Sequence, residues 1–232
     1  MKNSDKIYAV LTGDLIKSSR LSSTKSKNAM ERLKKRVEEF ADLYPDSIVG
    51  RMDTFRHDSW QLLLERPSLA VRAAIFLRAS LKMDADANTK YDTRISIGTG
   101  PVELISKRRI SDSRGMAFTL SGKGLDKMDS RYFVFIADEK HRAFWPALQE
   151  GVIPLLDCVA GDWTPTESRA VYGALKGWTQ EESAQHWPPD KKTGKQPTRQ
   201  AIGDSLIRAH WGTIDMVLLW VEKEIEQALK LA

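Results

Sequence analysis

The chain has 232 residues, 41% apolar and 29% charged, the make-up of an ordinary soluble globular protein with room for one large domain or two modest ones. No apolar run approaches the ~20 residues of a membrane-spanning helix, and the single cysteine, Cys158, excludes an internal disulfide or a cysteine-built zinc site and suits a reducing cytoplasm. The net charge of +5 is mild and unevenly spread: from Asp162 onward 9 Lys/Arg face 10 Asp/Glu, so a phosphate-bearing partner must be met by local clusters.

Ile7 to Thr12 (IYAVLT) is β-prone and ends in Gly13-Asp14, and a Ser-rich loop then leads into a charged amphipathic segment from about Lys25 to Tyr44. Asp46 to Asp53 and Arg56 to Leu64 read as a hairpin turning near Thr54 and Phe55. Pro67 opens a helix whose apolar positions Leu69, Ala70, Ala73, Ala74, Leu77 and Leu81 recur at helical spacing. Arg94 to Gly100 alternates as a strand, Met116 to Met128 is helical, and Tyr132 to Ile136 (YFVFI) is a strand. The resulting β-α-β-β-α-β order predicts an α+β ferredoxin-like domain over 1–160. An all-α helix-turn-helix domain is predicted over 161–232.

In that order the first and third strands are neighbours, so Asp14 and Asp58 converge at one end of the sheet. Two carboxylates there suit Mg²⁺ shared with substrate phosphates. In the loop after Asp14, Ser18, Ser19 and Arg20 are the candidate phosphate cradle, through their backbone N–H groups and the Arg20 guanidinium. Lys107, Arg108, Arg109 and Arg114 form a further basic cluster.

Four stretches agree in order and spacing with one family: Thr12 to Ser19 (TGDLIKSS), Arg56 to Trp60 (RHDSW), Arg94 to Val102 (RISIGTGPV) and Gly115 to Ser121 (GMAFTLS). Over roughly residues 5 to 136 the chain resembles the catalytic domain of class III nucleotide cyclases. The resemblance implies that Asp14 and Asp58 bind metal, that the loop of Leu15, Ile16, Lys17, Ser18 and Ser19 binds phosphate, and that a ribose hydroxyl attacks the α-phosphorus by two-metal chemistry. Where such cyclases place a transition-state asparagine and arginine, this chain has Thr119 and Lys123, and lysine lacks the bidentate fork. Thr54 stands at the base-selecting lysine position and His57 at the glycine before the second aspartate. The implied expectation is nucleotide binding with poor turnover.

Thr164, Pro165 and Glu167 mark a helix start, Gly177 a stop, and Thr179 with Glu182 a second start. A third helix runs from about Thr198 to His210. The first two of these helices resemble the helix-turn-helix of the fourth conserved region of sigma factors. Between Pro188 and His210 five basic residues face two acidic ones, which points to duplex DNA met by Lys191, Lys192, Lys195, Thr198, Arg199, Gln200 and Ser205. A closing amphipathic helix, Met216 to Leu231, is a candidate core element or homodimer seam. The opening motif with the helical C-terminal part resembles the SatD family of bacterial proteins. Together these readings give a cytoplasmic DNA-binding regulator with a nucleotide- and Mg²⁺-binding sensor domain. The alternatives are a nucleotidyl cyclase or related phosphotransferase, and an interaction scaffold.

Overall fold

The computed structural model describes residues 6–18, 21–55, 58–85, 89–106, 108–137, 145–190 and 193–230. At the centre of the sheet lies β1 (Ile7–Leu15), hydrogen-bonded in antiparallel register to β3 (Ser59–Leu64) on one side and β4 (Thr93–Leu104) on the other. The hairpin partner β2 (Ile48–Phe55) forms the outer edge beyond β3. Helix α1 (Ser23–Leu43) joins β1 to β2, and α2 (Ala70–Lys82) joins β3 to β4. The order β2-β3-β1-β4, all antiparallel, is the split β-α-β arrangement expected from the sequence. The long strand β4 shares its far edge between β5 (Arg114–Gly115, antiparallel) and β6 (Phe133–Ala137, parallel).

Alternation along β1 divides its side chains between two faces. Ala9, Leu11 and Leu15 join the main core with Leu33, Val37 and Phe40 of α1 and the residues of α2. Tyr8 and Val10 join a smaller cluster with Ala117 and Phe118 of α3 (Met116–Asp126), which lies on the opposite face of the sheet. There α3 approaches β4 very closely: a Cβ on Gly98 would stand 2.4 Å from the Ala117 carbonyl oxygen. Glycine is therefore what lets helix backbone rest on strand backbone at that point.

The C-terminal part is helical: α4 (Trp145–Ala147), a π-helical turn (Leu148–Val152), α5 (Ile153–Asp162), α6 (Pro165–Leu175), α7 (Gln180–His186), α8 (Arg199–Arg208) and α9 (Trp211–Lys230). Thr164 and Thr179 each close a full capping box, with Glu167 and Glu182, as their spacing predicts. The closing helix begins at Trp211, ahead of the expected Met216.

Near residue 160, where the sequence suggests a boundary, α5 runs on to Asp162, and the main apolar cluster holds residues from both sides. Leu156, Trp163, Val171, Tyr172, Leu218 and Ile225 belong to the same apolar cluster as β1 and α2. Helix α2 shows why. Its apolar stripe reads as an ordinary amphipathic helix, yet every residue from Ala70 to Leu81 is buried, because the C-terminal helices cover the face that would otherwise meet water. The two arginines on that covered face are paired: Arg72 with Glu222 and Asp215 of α9, and Arg78 with Asp157 of α5 and Asp92. A buried guanidinium without such partners would carry a desolvation penalty of several kcal/mol, so the chemistry of α2 already requires the helical segment against it.

Candidate functional site

The site is built where β1 ends. Gly13 leaves no room for a side chain, since a Cβ there would stand 2.5 Å from the Trp60 ring and from the Arg94 carbonyl oxygen. The fully buried Trp60 donates its indole N–H to the Thr93 hydroxyl at 3.0 Å, and that hydroxyl donates to the Asp14 carbonyl at 2.7 Å. This chain of contacts fixes the backbone of Asp14. Its side chain then projects to the α3 face, the face shared by Tyr8, Val10 and Thr12.

Arg94 lies opposite Asp14 in the β1–β4 register and holds its carboxylate with both arms. Nε donates to Oδ1 at 2.8 Å, Nη2 donates to Oδ2, and Nη1 donates to the Met128 carbonyl at 3.2 Å. Hydrogen bonding to Asp14 outweighs burial, and the charges of Asp14 and Asp58 add to it, so the guanidinium is held above its already high pKa. Asp58 comes to the same end of the sheet: its carbonyl accepts the Leu15 N–H at 3.0 Å. Its carboxylate accepts from the Ser18 hydroxyl at 2.6 Å and from the Ser59 hydroxyl at 3.3 Å. Asp14 and Asp58 thus border the same end of the sheet, linked through the Leu15 backbone, and Arg94 holds the Asp14 carboxylate.

The loop after Asp14 differs from the expected cradle. Leu15 is buried and its N–H is spent on Asp58, while the Ile16 N–H donates to the Asp92 carbonyl at 3.0 Å. Two of the anticipated phosphate-binding amides are thus occupied by the fold. Lys17 is exposed and takes a left-handed backbone (φ 54°), and Ser18 is turned onto Asp58. Ser19 and Arg20 lie outside the described residues.

Facing Asp14, a cleft of about 460 Å³ is lined by Thr12, Ser59, Gln61, Arg94 and, from α3, Gly122, Leu125 and Asp126. Gln61 donates to the Thr12 hydroxyl at 3.0 Å, and that hydroxyl also pairs with Ser121 at 2.8 Å. Gln61, Ser59 and Thr12 were not picked out as site residues in the sequence: alternation from Asp14 along β1 reaches Thr12, but Ser59 and Gln61 share its face through the β1–β3 register, as the partners of Asp14 and Thr12. Thr119 and Lys123 are not brought in: both lie on the exposed side of α3, and the Thr119 hydroxyl donates back to the Gly115 carbonyl at 3.2 Å.

Two carboxylates are the hard-oxygen donors that Mg²⁺ takes together with phosphate oxygens and water. Asp14 and Asp58 are donors of that kind, and Arg94 already occupies both oxygens of Asp14, so a metal there would compete with the guanidinium. Among the described residues no group of three or more Asp, Glu, His or Cys is placed to hold a metal ion.

In the helical segment Lys195, Thr198, Arg199 and Gln200 are exposed, and Thr198 caps α8 by accepting from the Ala201 N–H at 3.2 Å. Ser205, expected on a reading surface, is instead buried, with its hydroxyl donating to the Ala201 carbonyl at 2.8 Å. Lys191 and Lys192 lie outside the described residues. Ile202 turns inward to Ala170 and Trp187, so the three short helices pack on one another at the side of the main core. Among the described residues no helix is long and apolar enough to cross a membrane.

No family model matches the chain, and no curated protein matches it. Solved structures similar to it include the catalytic core of a rhodopsin-guanylyl cyclase with converted specificity in complex with ATPαS (15% identity, 53% of this chain and 73% of that one, TM-score 0.41). The guanylyl cyclase Cya2 is similar at 16% identity over 56% of this chain and 74% of its own, with a TM-score of 0.42. The monomeric guanylyl cyclase domain of the RhoGC fusion protein from the aquatic fungus Blastocladiella emersonii is similar at 17% identity over 53% and 77%, with a TM-score of 0.39.

Proposed function

We propose that the chain binds a nucleoside triphosphate with Mg²⁺ in the cleft between the end of β1 and α3. The observation that carries this reading is that Asp14, held by Arg94, lines this cleft at the end of β1, with Asp58 hydrogen-bonded to the next residue, Leu15. Asp14 and Asp58 would hold the ion, which when bound supplies charge neutralisation and orientation for the phosphates. Arg94, released from Asp14, becomes a fork suited to a phosphate. Ser18 keeps Asp58 oriented, and Thr12, Ser59 and Gln61 offer hydroxyl and amide groups along the wall. This gives chemistry to the Thr12–Ser19 motif that carries the SatD-like resemblance.

The same carboxylate pair supports a second reading, a nucleotidyl cyclase or related phosphotransferase. Against efficient turnover, Thr119 and Lys123 face solvent, so the cleft holds neither as a donor for a transition state. The helical segment serves in this reading as the cover of α2, and DNA recognition by it is not required. A thermal-shift series of the full chain with ATP and GTP, with and without Mg²⁺, tests the proposal. At a hundredfold excess over Kd, binding adds ~2.7 kcal/mol, a rise of ~5–10 °C for a chain of this size. A rise only with Mg²⁺ present supports the reading, and no rise with any triphosphate refutes it. Accumulation of cyclic nucleotide under the same conditions would select the enzyme.

A further inference from the structure

A cavity of about 650 Å³ lies on the other side of the sheet end from the Asp14 cleft. One wall is the β1–α1 loop at Ile16 and Lys17, another the end of α2 at Lys82 and the approach to β4 at Lys90 and Tyr91. Tyr132 and the α5–α6 junction, Gly161 to Pro165, close it. Its size falls in the ~300–1,000 Å³ range of small-molecule sites.

The charges there do not cancel. Asp92 accepts from Arg78 at 2.9 and 3.2 Å, and since Arg78 also pairs with Asp157, Arg78 and Lys82 together balance the two carboxylates. Lys82 is mostly buried, its ammonium donating to the Gly161 carbonyl at 2.6 Å and lying 3.7 Å from Asp92. Burial holds its pKa below the usual lysine value, so a further anion beside it would be stabilising. Lys17 and Lys90 are exposed at the rim, and among the described residues neither forms an ion pair. Among the described residues, Lys17 and Lys90 therefore face Asp162 as the one acid of the lining outside these pairs. Tyr91, Tyr132 and Trp163 supply flat apolar surface between them.

We infer that this cavity binds a nucleoside monophosphate, its phosphoryl dianion met by Lys17, Lys82 and Lys90 and its base laid along the tyrosine and tryptophan walls. One wall of the cavity belongs to the loop that carries Ser18, and the opposite wall belongs to the helical segment. Occupancy therefore ties the loop beside Asp58 to the C-terminal helices, and the site stands independently of the triphosphate cleft.

Calorimetry of the full chain with AMP, adenosine and inorganic phosphate tests this. Saturable AMP binding is expected, with adenosine and phosphate each at least ~10-fold weaker, since each keeps only half of the contacts. Lys90→Ala, an exposed position, and Lys82→Met are each expected to weaken AMP ~10-fold or more, and Asp14→Asn to leave it within about twofold. Lys82 also anchors Gly161, so Lys90→Ala decides the matter if the Lys82 variant does not fold. The inference is overturned by an absence of saturable AMP binding at millimolar concentration, by phosphate binding as tightly as AMP, or by indifference to Lys90→Ala. Loss of AMP binding in Asp14→Asn also overturns it, because the ligand then sits in the triphosphate cleft. Failure of ATP with Mg²⁺ alongside retained AMP binding would reject only the proposed function.

Discussion

Arg94 and Asp14 are register partners across β4 and β1, and the guanidinium holds both oxygens of the carboxylate. The pair closes the cleft on itself, so it is at once a stabilising contact and the competitor of a bound cation. Arg94→Met leaves a largely buried carboxylate without its partner and is expected to lower stability by ~1.5–3 kcal/mol, read as the urea midpoint. Millimolar Mg²⁺ should restore part of the loss in the variant and add less to the wild type. Equal responses of the two proteins to Mg²⁺ would show that Asp14 does not meet the ion.

Gly98→Ala should disturb the cleft from the opposite wall. The added Cβ would stand 2.4 Å from the Ala117 carbonyl oxygen and 2.4 Å from the Ser121 nitrogen, so α3 must move as a body. Overpacking of this kind costs ~1–3 kcal/mol. Because Gly122, Leu125 and Asp126 of α3 line the cleft, triphosphate affinity should fall along with the melting temperature. Unchanged affinity in the folded variant would remove α3 from the site.

Arg78→Met tests the continuity of the core. The guanidinium is 1% exposed and bridges Asp92, ahead of β4, to Asp157 of α5. Removing one partner of such a buried network costs ~3–5 kcal/mol, because two carboxylates lose their cation. Denaturant unfolding should remain a single transition at a lower midpoint. Two separated transitions in the wild type would contradict a shared core.

Stability should fall at both ends of the pH range through one contact, Glu39 with Tyr172. Burial opposes ionisation of Glu39, but hydrogen bonds from Tyr172 and Lys176 and the charge of Arg36 hold its carboxyl below the usual 4.5. That contribution is present above about pH 4.5 and is lost as the pH falls through the lowered value. Burial, then the bond to Glu39, pushes the Tyr172 phenol above its ordinary 10.0. Its contribution is present below about pH 10 and is lost as the pH rises toward the raised value. Tyr172→Phe should flatten both limbs of a plot of urea midpoint against pH, and limbs as steep as the wild type's would show the contact to be without consequence.

The sheet was legible because its signals are local: alternation in IYAVLT and RISIGTG and helical spacing after Pro67 place the strands in an order with few competing topologies. Both capping boxes were legible for the same reason. What the sequence concealed depends on partners far along the chain. Arg94 and Asp14 are 80 residues apart, and Arg78 and Asp157 are 79 apart. Nothing local marks either arginine as a buried clamp. Ser205 read as a polar surface residue because its helical back-bond to Ala201, which permits burial, carries no sequence signature.

The most direct test of the account is calorimetric titration of the full chain with ATP and with GTP in the presence of Mg²⁺, for the wild type and Asp14→Asn. The variant keeps the shape of the side chain but gives up the charge that a divalent cation requires. The account predicts saturable binding of at least one triphosphate by the wild type, dependent on Mg²⁺, and a loss of ~10-fold or more in the variant, the equivalent of ~1.4 kcal/mol or more. Triphosphate binding of equal strength in the two proteins, or in the wild type with and without Mg²⁺, would contradict it.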